Sequence, residues 1–235
     1  NEYDKAEITN ANSIDIEKTD ERLLTKALII ENKNPEEALN IYNSISNPQY
    51  QDLINERKIV LYKKLGNIDN LIEKLKSQQK LEPFNTQLSR EIFQVYIEHN
   101  RLNDAIDYMN VVDTLYYGNE QETYYILLSS AILQNRPIDT LQVESFLKRI
   151  KGNLLFNEEL LYYSGLLASN IGNSKKRDTF FDRVLKIATK NSDFKIGVAE
   201  VYYYDKEYNR SLNILNELNP DSLRQVEYYY TLKGL

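Results

Sequence analysis

A unit of about 34 residues recurs along the chain and constrains its fold more than any single residue does. Its anchors are short polar turns, each lying between two apolar-periodic stretches. They are Leu65-Gly66-Asn67-Ile68-Asp69-Asn70-Leu71, Asn100-Arg101-Leu102-Asn103-Asp104-Ala105, Ile171-Gly172-Asn173-Ser174 and Asp205-Lys206-Glu207-Tyr208-Asn209-Arg210-Ser211. Phased on these turns, units begin near Thr19, Asp52, Thr86, Gln121, Glu158, Ser192 and Val226, at spacings of 33, 34, 35, 37, 34 and 34. A fixed period in this range marks an all-α solenoid of stacked helical hairpins, each burying its apolar faces against its neighbours. The expected units are 19–51, 52–85, 86–120, 121–157, 158–191, 192–225 and a partial 226–235: about six repeats and the start of a seventh. An array of this kind implies a binding surface rather than a catalyst.

Composition agrees with a helical chain. Seven glycines and five prolines in 235 residues leave the helix interiors largely unbroken. Hydrophobic residues make up 42% and charged residues 27%, and no run approaches the ~18 apolar residues of a membrane span. The formal charge is −6, and residues 1–18 contribute −3 of it through five acidic and two basic side chains. That polar segment reads as an acidic linker or lead-in. The rest is near balance, which argues against a nucleic-acid partner.

Without cysteine the chain forms neither disulfides nor thiolate metal sites. The first residue is Asn1, and the one methionine is Met109. These features leave the compartment open, with an exported or periplasmic protein the expectation favoured over a cytoplasmic one. The last ten residues, from Val226 to Leu235, read as half a unit with no partner helix. The expectation is a fragment of a longer solenoid, with further repeats or domains of its parent chain beyond it.

The unit resembles the tetratricopeptide repeat, a helix–turn–helix with the pattern W-x2-L-G-x2-Y, A-x3-F and P. In the unit from Glu158, Leu161 takes the aromatic place, Gly165 the small place, Gly172 the turn and Phe181 the plug. The unit from Asp52 supplies Tyr62, Gly66, Leu75 and the terminator Pro83; the unit from Thr86 supplies Tyr96, Ala105 and Met109. Ile29, Ala38 and Tyr42 fill the first unit, and Tyr202, Ser211 and Leu215 the one from Ser192. Three features depart from the pattern: tryptophan is absent, Arg177 occupies a small-residue place, and the unit from Gln121 carries the insert Asn135-Arg136-Pro137-Ile138-Asp139. The resemblance implies a right-handed superhelical array whose first helices line a concave face.

Catalytic chemistry finds little support. The single histidine, His99, stands at the polar end of a first helix, and no G-x-S-x-G elbow accompanies it. Neither standard phosphate-binding glycine motif occurs. The pairs Glu36-Glu37 and Glu158-Glu159 fall in or beside first turns, where carboxylates complement the helix dipole. Of two basic runs, Lys148-Arg149 with Lys151 suits a helix end, and Lys175-Lys176-Arg177 opens the next second helix. The reading is therefore no enzyme, with no catalytic residues, no metal and no cofactor.

Tyrosine carries the functional signal. Of 19 tyrosines, 13 lie from Tyr116 onward, mostly in runs on first helices. Adjacent helical residues point ~100° apart, so a run cannot be buried as a whole. Tyr124, Tyr202 and Tyr229 match packing places. On the resemblance, Tyr125, Tyr162, Ile196 and Tyr230 face the groove, joined by Tyr203 and Tyr204. Tyrosine combines a large contact area with a hydroxyl at low entropic cost. The expected function is thus a scaffold or adaptor module of a larger assembly, binding a protein or peptide segment in a tyrosine-rich groove without inserting into a membrane. A structural spacer or self-associating piece of a longer solenoid is the alternative, and an RNA-reading helical repeat ranks below both.

Overall fold

The computed structural model describes residues 19–135, 139–188, 192–219 and 226–234, and every regular element among them is helical. The acidic lead-in over 1–18, residues 136–138 of the polar insert and Leu235 lie outside the described residues. The α-helices are α1 (19–30), α2 (Pro35–Ser44), α3 (Gln51–Leu65), α4 (Ile68–Leu81), α5 (Thr86–Glu98), α6 (Leu102–Leu115) and α7 (Gly118–Gln134). They continue with α8 (Thr140–Leu147), α9 (Glu158–Asn170), α10 (Ser174–Ile187), α11 (Ser192–Tyr204), α12 (Tyr208–Asn216) and α13 (Val226–Lys233). Short 3-10 turns cover Pro48–Tyr50 and Gly152–Phe156.

Four hairpin turns share one backbone device. Gly66, Asn100, Gly172 and Lys206 each take a left-handed conformation, with φ between 54° and 73°. The left-handed residue donates to the carbonyl three residues back, and its successor donates five back: Gly66 to Lys63 and Asn67 to Tyr62, Gly172 to Ser169 and Asn173 to Ala168. Asn100 with Arg101 and Lys206 with Glu207 repeat the pattern. This pair of bonds satisfies carbonyls that a helix end would leave open. Asn67 and Asn173 then cap the following helix, accepting from the N–H of Asn70 and Lys176. One short polar segment therefore ends a helix and starts its partner.

The chain forms two compact units, Asn1–Val95 and Tyr96–Leu235, with the boundary inside α5. In the first, Leu24, Ala27, Ala38, Tyr42, Ile54 and Leu61 belong to one core shared by α1, α2 and α3. The Tyr42 hydroxyl donates to Glu31 at 2.8 Å, and Asp20 accepts the N–H groups of Ser46 and Asn47 at 3.0 and 2.8 Å. Ile29, expected at a packing place, is 72% exposed. It lies two residues past the fully buried Ala27, about 200° around the helix, and so faces away from the core.

In the second unit α9 pairs with α10 and α11 with α12, while α7 packs on α9, α9 on α11 and α11 on α13. Gly165 receives the ring of Phe181, which a Cβ at that position would overlap. In the long unit from Gln121 the 3-10 turn Gly152–Phe156 packs on α7 and α9 with Leu154 buried. Val143 and Phe146 supply the buried side of α8.

Arg177 is the largest departure from the repeat pattern, and it is buried, with its side chain 5% exposed. It donates to Asp178 (Nε–Oδ1, 2.9 Å), Asp205 and Glu207 and lies over the Tyr202 ring at 5.0 Å. Arg210 covers the same ring at 5.1 Å and donates to Asp178 at 2.8 Å and Glu207 at 3.1 Å. This network ties α10 to the turn between α11 and α12, so the guanidinium performs the packing task of a small side chain by other means.

Candidate functional site

Because α9, α11 and α13 lie side by side, they build one face. On α11 Gly197, Glu200 and Tyr204 are three and then four residues apart, which aligns them on that face. Tyr162 of α9 lays its ring and hydroxyl over Gly197; a Cβ there would stand 2.8 Å from Cζ and 2.9 Å from Cε2. The missing side chain thus makes room for the ring. Tyr162 is half-buried and also lies 5.2 Å from the Phe194 ring. Burial first, then the charge of Glu200, pushes its phenol up to about 12.

Tyr228 stands half-buried on α13, which packs on α11. Its phenol is raised by burial and then by Glu200. Among the described residues no lysine or arginine pairs with Glu200, which is half-buried.

Three exposed rings gather where α11 ends and α12 begins. Tyr203, Tyr204 and Tyr208 are 40%, 69% and 56% exposed. The Tyr203 ring meets Tyr204 at 5.7 Å and Tyr208 at 5.5 Å, both edge-on. Leu212, one turn beyond Tyr208 on α12, is exposed as well. Tyr230 is partly exposed and edge-on to buried Tyr229, which hydrogen-bonds Lys233.

Of the six side chains expected to face a groove, Tyr162 lies over Gly197, Tyr203 and Tyr204 are exposed at the end of α11 with Tyr203 against Tyr208 of α12, and Tyr230 is on α13. Tyr125 and Ile196 are interior instead, at 0% and 3% exposure. The Tyr125 hydroxyl donates to Asp113 at 2.9 and 3.1 Å, and its ring stacks on Phe146 at 5.5 Å. Burial, then the bond to Asp113, raises its phenol. Both residues sit on helices with neighbours on more than one side, α7 beside α6 and α9, and α11 beside α9, α12 and α13. Consecutive positions are consequently buried. Tyr124, Tyr202 and Tyr229 are buried, as their packing places require.

Sequence reasoning missed Glu200, Tyr208 and Tyr228. Gly197 was the available signal: a glycine inside a helix marks a close approach, and Glu200 follows one turn later. Elsewhere, His99 is exposed at the end of α5, and the two glutamate pairs occupy the first turns of α2 and α9. Arg149 of the first basic run pairs with Asp113 at 3.0 Å. Among the described residues no group of three or more His, Cys, Asp or Glu is placed to hold a metal, and no helix is long and apolar enough to cross a membrane. A separate polar cleft of about 330 Å³ lies among α6, α7 and α8, lined by Arg101, Asn103, Asp104, Asn135, Asp139 and Gln142 together with several apolar residues.

No family model matches the chain, and no curated protein matches it. Among solved structures it is similar to two crystal structures of MamA. One is 15% identical, covering 74% of this chain and 92% of that one at a TM-score of 0.45; the other is 14% identical, covering 79% and 93% at 0.47. It is also similar to a tetratricopeptide repeat protein from Parabacteroides merdae ATCC 43184, at 15% identity, 92% and 85% coverage and a TM-score of 0.38. At such identities and scores no residue role passes from these proteins to this chain.

Proposed function

We propose that the chain is a protein-interaction module that binds a segment of another protein along the face of α9, α11 and α13. The observation that carries this reading is the open tyrosine cluster of Tyr203, Tyr204 and Tyr208, whose rings brace one another yet remain 40–69% exposed. A contiguous patch of large amphipathic rings on a soluble surface marks an interaction site, and tyrosine is among the residues that dominate binding energy once covered. The half-buried Tyr162 and the exposed Tyr230 extend the patch onto the flanking helices. An overall charge of −6 favours a protein over a nucleic acid as the partner. The repeat architecture serves to hold these rings in fixed relation, and the module does no chemistry of its own.

Affinity capture from the source cell, run in parallel with the wild type and with Tyr203→Ala/Tyr204→Ala, tests the reading. The wild type should retain a specific protein that the variant loses at least tenfold, while far-UV circular dichroism stays the same. Equal capture by both would rule out this face.

A further inference from the structure

We infer that Glu200 receives a cationic side chain, arginine or lysine, from the bound segment, which stands between the carboxylate and the ring of Tyr204. This rests on the segment-binding reading above and names the chemistry of what is bound.

The placement of Glu200 is unusual for a surface glutamate. It is half-buried on α11, one turn after Gly197, over which the Tyr162 hydroxyl lies, and one turn before Tyr204, with α13 packed alongside. Its charge helps to raise the Tyr162 and Tyr228 phenols, so both rings lie near it. A carboxylate has about four lone-pair sites, so most of its accepting capacity is still open toward the face. No lysine or arginine among the described residues pairs with it, whereas Asp178, Asp205 and Glu207 nearby in sequence are all bound by Arg177 or Arg210.

Charge complementarity then selects the occupant. An acidic segment would be repelled by a partly desolvated carboxylate, and a purely apolar one would strip its remaining water without replacing the lost hydrogen bonds. A guanidinium or ammonium satisfies the open lone pairs and gains a charge-assisted bond. It also gains the ring. This part of the chain already binds cations to tyrosine faces, with Arg177 and Arg210 over Tyr202 and Lys233 over Tyr229 at 5.0–5.1 Å. Tyr204, the most exposed ring of the cluster, ends α11, where the helix dipole adds partial negative charge.

The test is a phage-displayed library of random peptides, panned against the whole chain and, in parallel, against Tyr203→Ala/Tyr204→Ala and Glu200→Gln. Glutamine keeps the shape of the side chain and its accepting oxygen, so the variant should fold; circular dichroism checks this. The expected result is peptides, dependent on Tyr203 and Tyr204, that carry arginine or lysine at one fixed position. Replacing that residue by norleucine should weaken binding about tenfold on the wild type and less than about twofold on Glu200→Gln. Tyrosine-dependent peptides without a fixed basic position, or a norleucine penalty equal on both proteins, would overturn the inference and leave the segment-binding face standing. Peptides that do not distinguish the wild type from the tyrosine variant, or no enriched peptide at all, would overturn both.

Discussion

Replacing Gly165 by alanine should destabilise the protein by about 2 kcal/mol, although helix propensity argues the other way. Gly165 lies inside α9, where alanine is intrinsically better by about 0.8–1.0 kcal/mol. Against that gain stands the Phe181 ring: a Cβ on Gly165 would overlap Cδ1 and Cε1 and come within 3.0 Å of Cζ. Phe181 is fully buried between the rings of Tyr162 at 6.4 Å and Tyr202 at 5.8 Å, so it cannot retreat without displacing them. Overpacking costs about 1–3 kcal/mol, and overlap with a wedged ring belongs at the upper end. Three minus one leaves about 2 kcal/mol of net loss. Urea unfolding followed by far-UV circular dichroism measures it. Trimming the ring should relieve the clash, so Gly165→Ala/Phe181→Leu should lose less than the sum of its single changes. If Gly165→Ala instead stabilised the protein by about 1 kcal/mol, the packing of α9 on α10 described above would be wrong.

Arg177→Ala should cost about 2–3 kcal/mol in the same assay. It strands three carboxylates, but at 27%, 38% and 35% exposure these rehydrate, which keeps the loss below that of a deeply buried pair. Burial alone would raise the Asp178 carboxyl; hydrogen bonds and charge from Arg210 and Arg177 outweigh it and hold the group below the usual range. Its contribution is therefore complete above the unfolded value of about 4 and is lost as pH falls through the depressed folded value, so Asp178→Asn should flatten the acid limb of the stability profile. Ser211→Ala should be neutral or stabilising by up to about 1 kcal/mol, because the buried Ser211 Oγ has no hydrogen-bond partner among the described residues. At the alkaline end, Tyr162 keeps its proton up to about 12 when folded but only to about 10 when unfolded. Its contribution is fully present below pH 10 and disappears as pH rises toward 12; Tyr162→Phe should remove that part of the alkaline loss in a thermal-melt series.

The hairpins were legible because their turns are written locally. Gly66-Asn67 and Gly172-Asn173 put a residue that tolerates positive φ next to one that caps a helix, and three or four residues decide the outcome. Gly165 and Phe181 were legible for a related reason, since a small residue and a large one complete each other across a single hairpin. Burial on the first helices was only half legible. A periodic stripe assumes one covered face, whereas α7 and α11 are covered on several, and this took Tyr125 and Ile196 inside. Ile29 failed through phase alone, two positions from the true stripe. Arg177 looked like a misfit because its partners Asp205 and Glu207 lie 28 and 30 residues later. The packing of α13 on α11, which brings Tyr228 toward Glu200, is of the same range, and local pattern does not encode such contacts.

Hydrogen exchange on the chain loaded with its captured partner or a selected peptide tests the binding face most directly. Amides of α9, α11 and α13 should gain protection on binding, with α10 and α12 unchanged apart from the turn beside Tyr208. Protection confined to α10 and α12, or to helices of the first unit, would contradict the account.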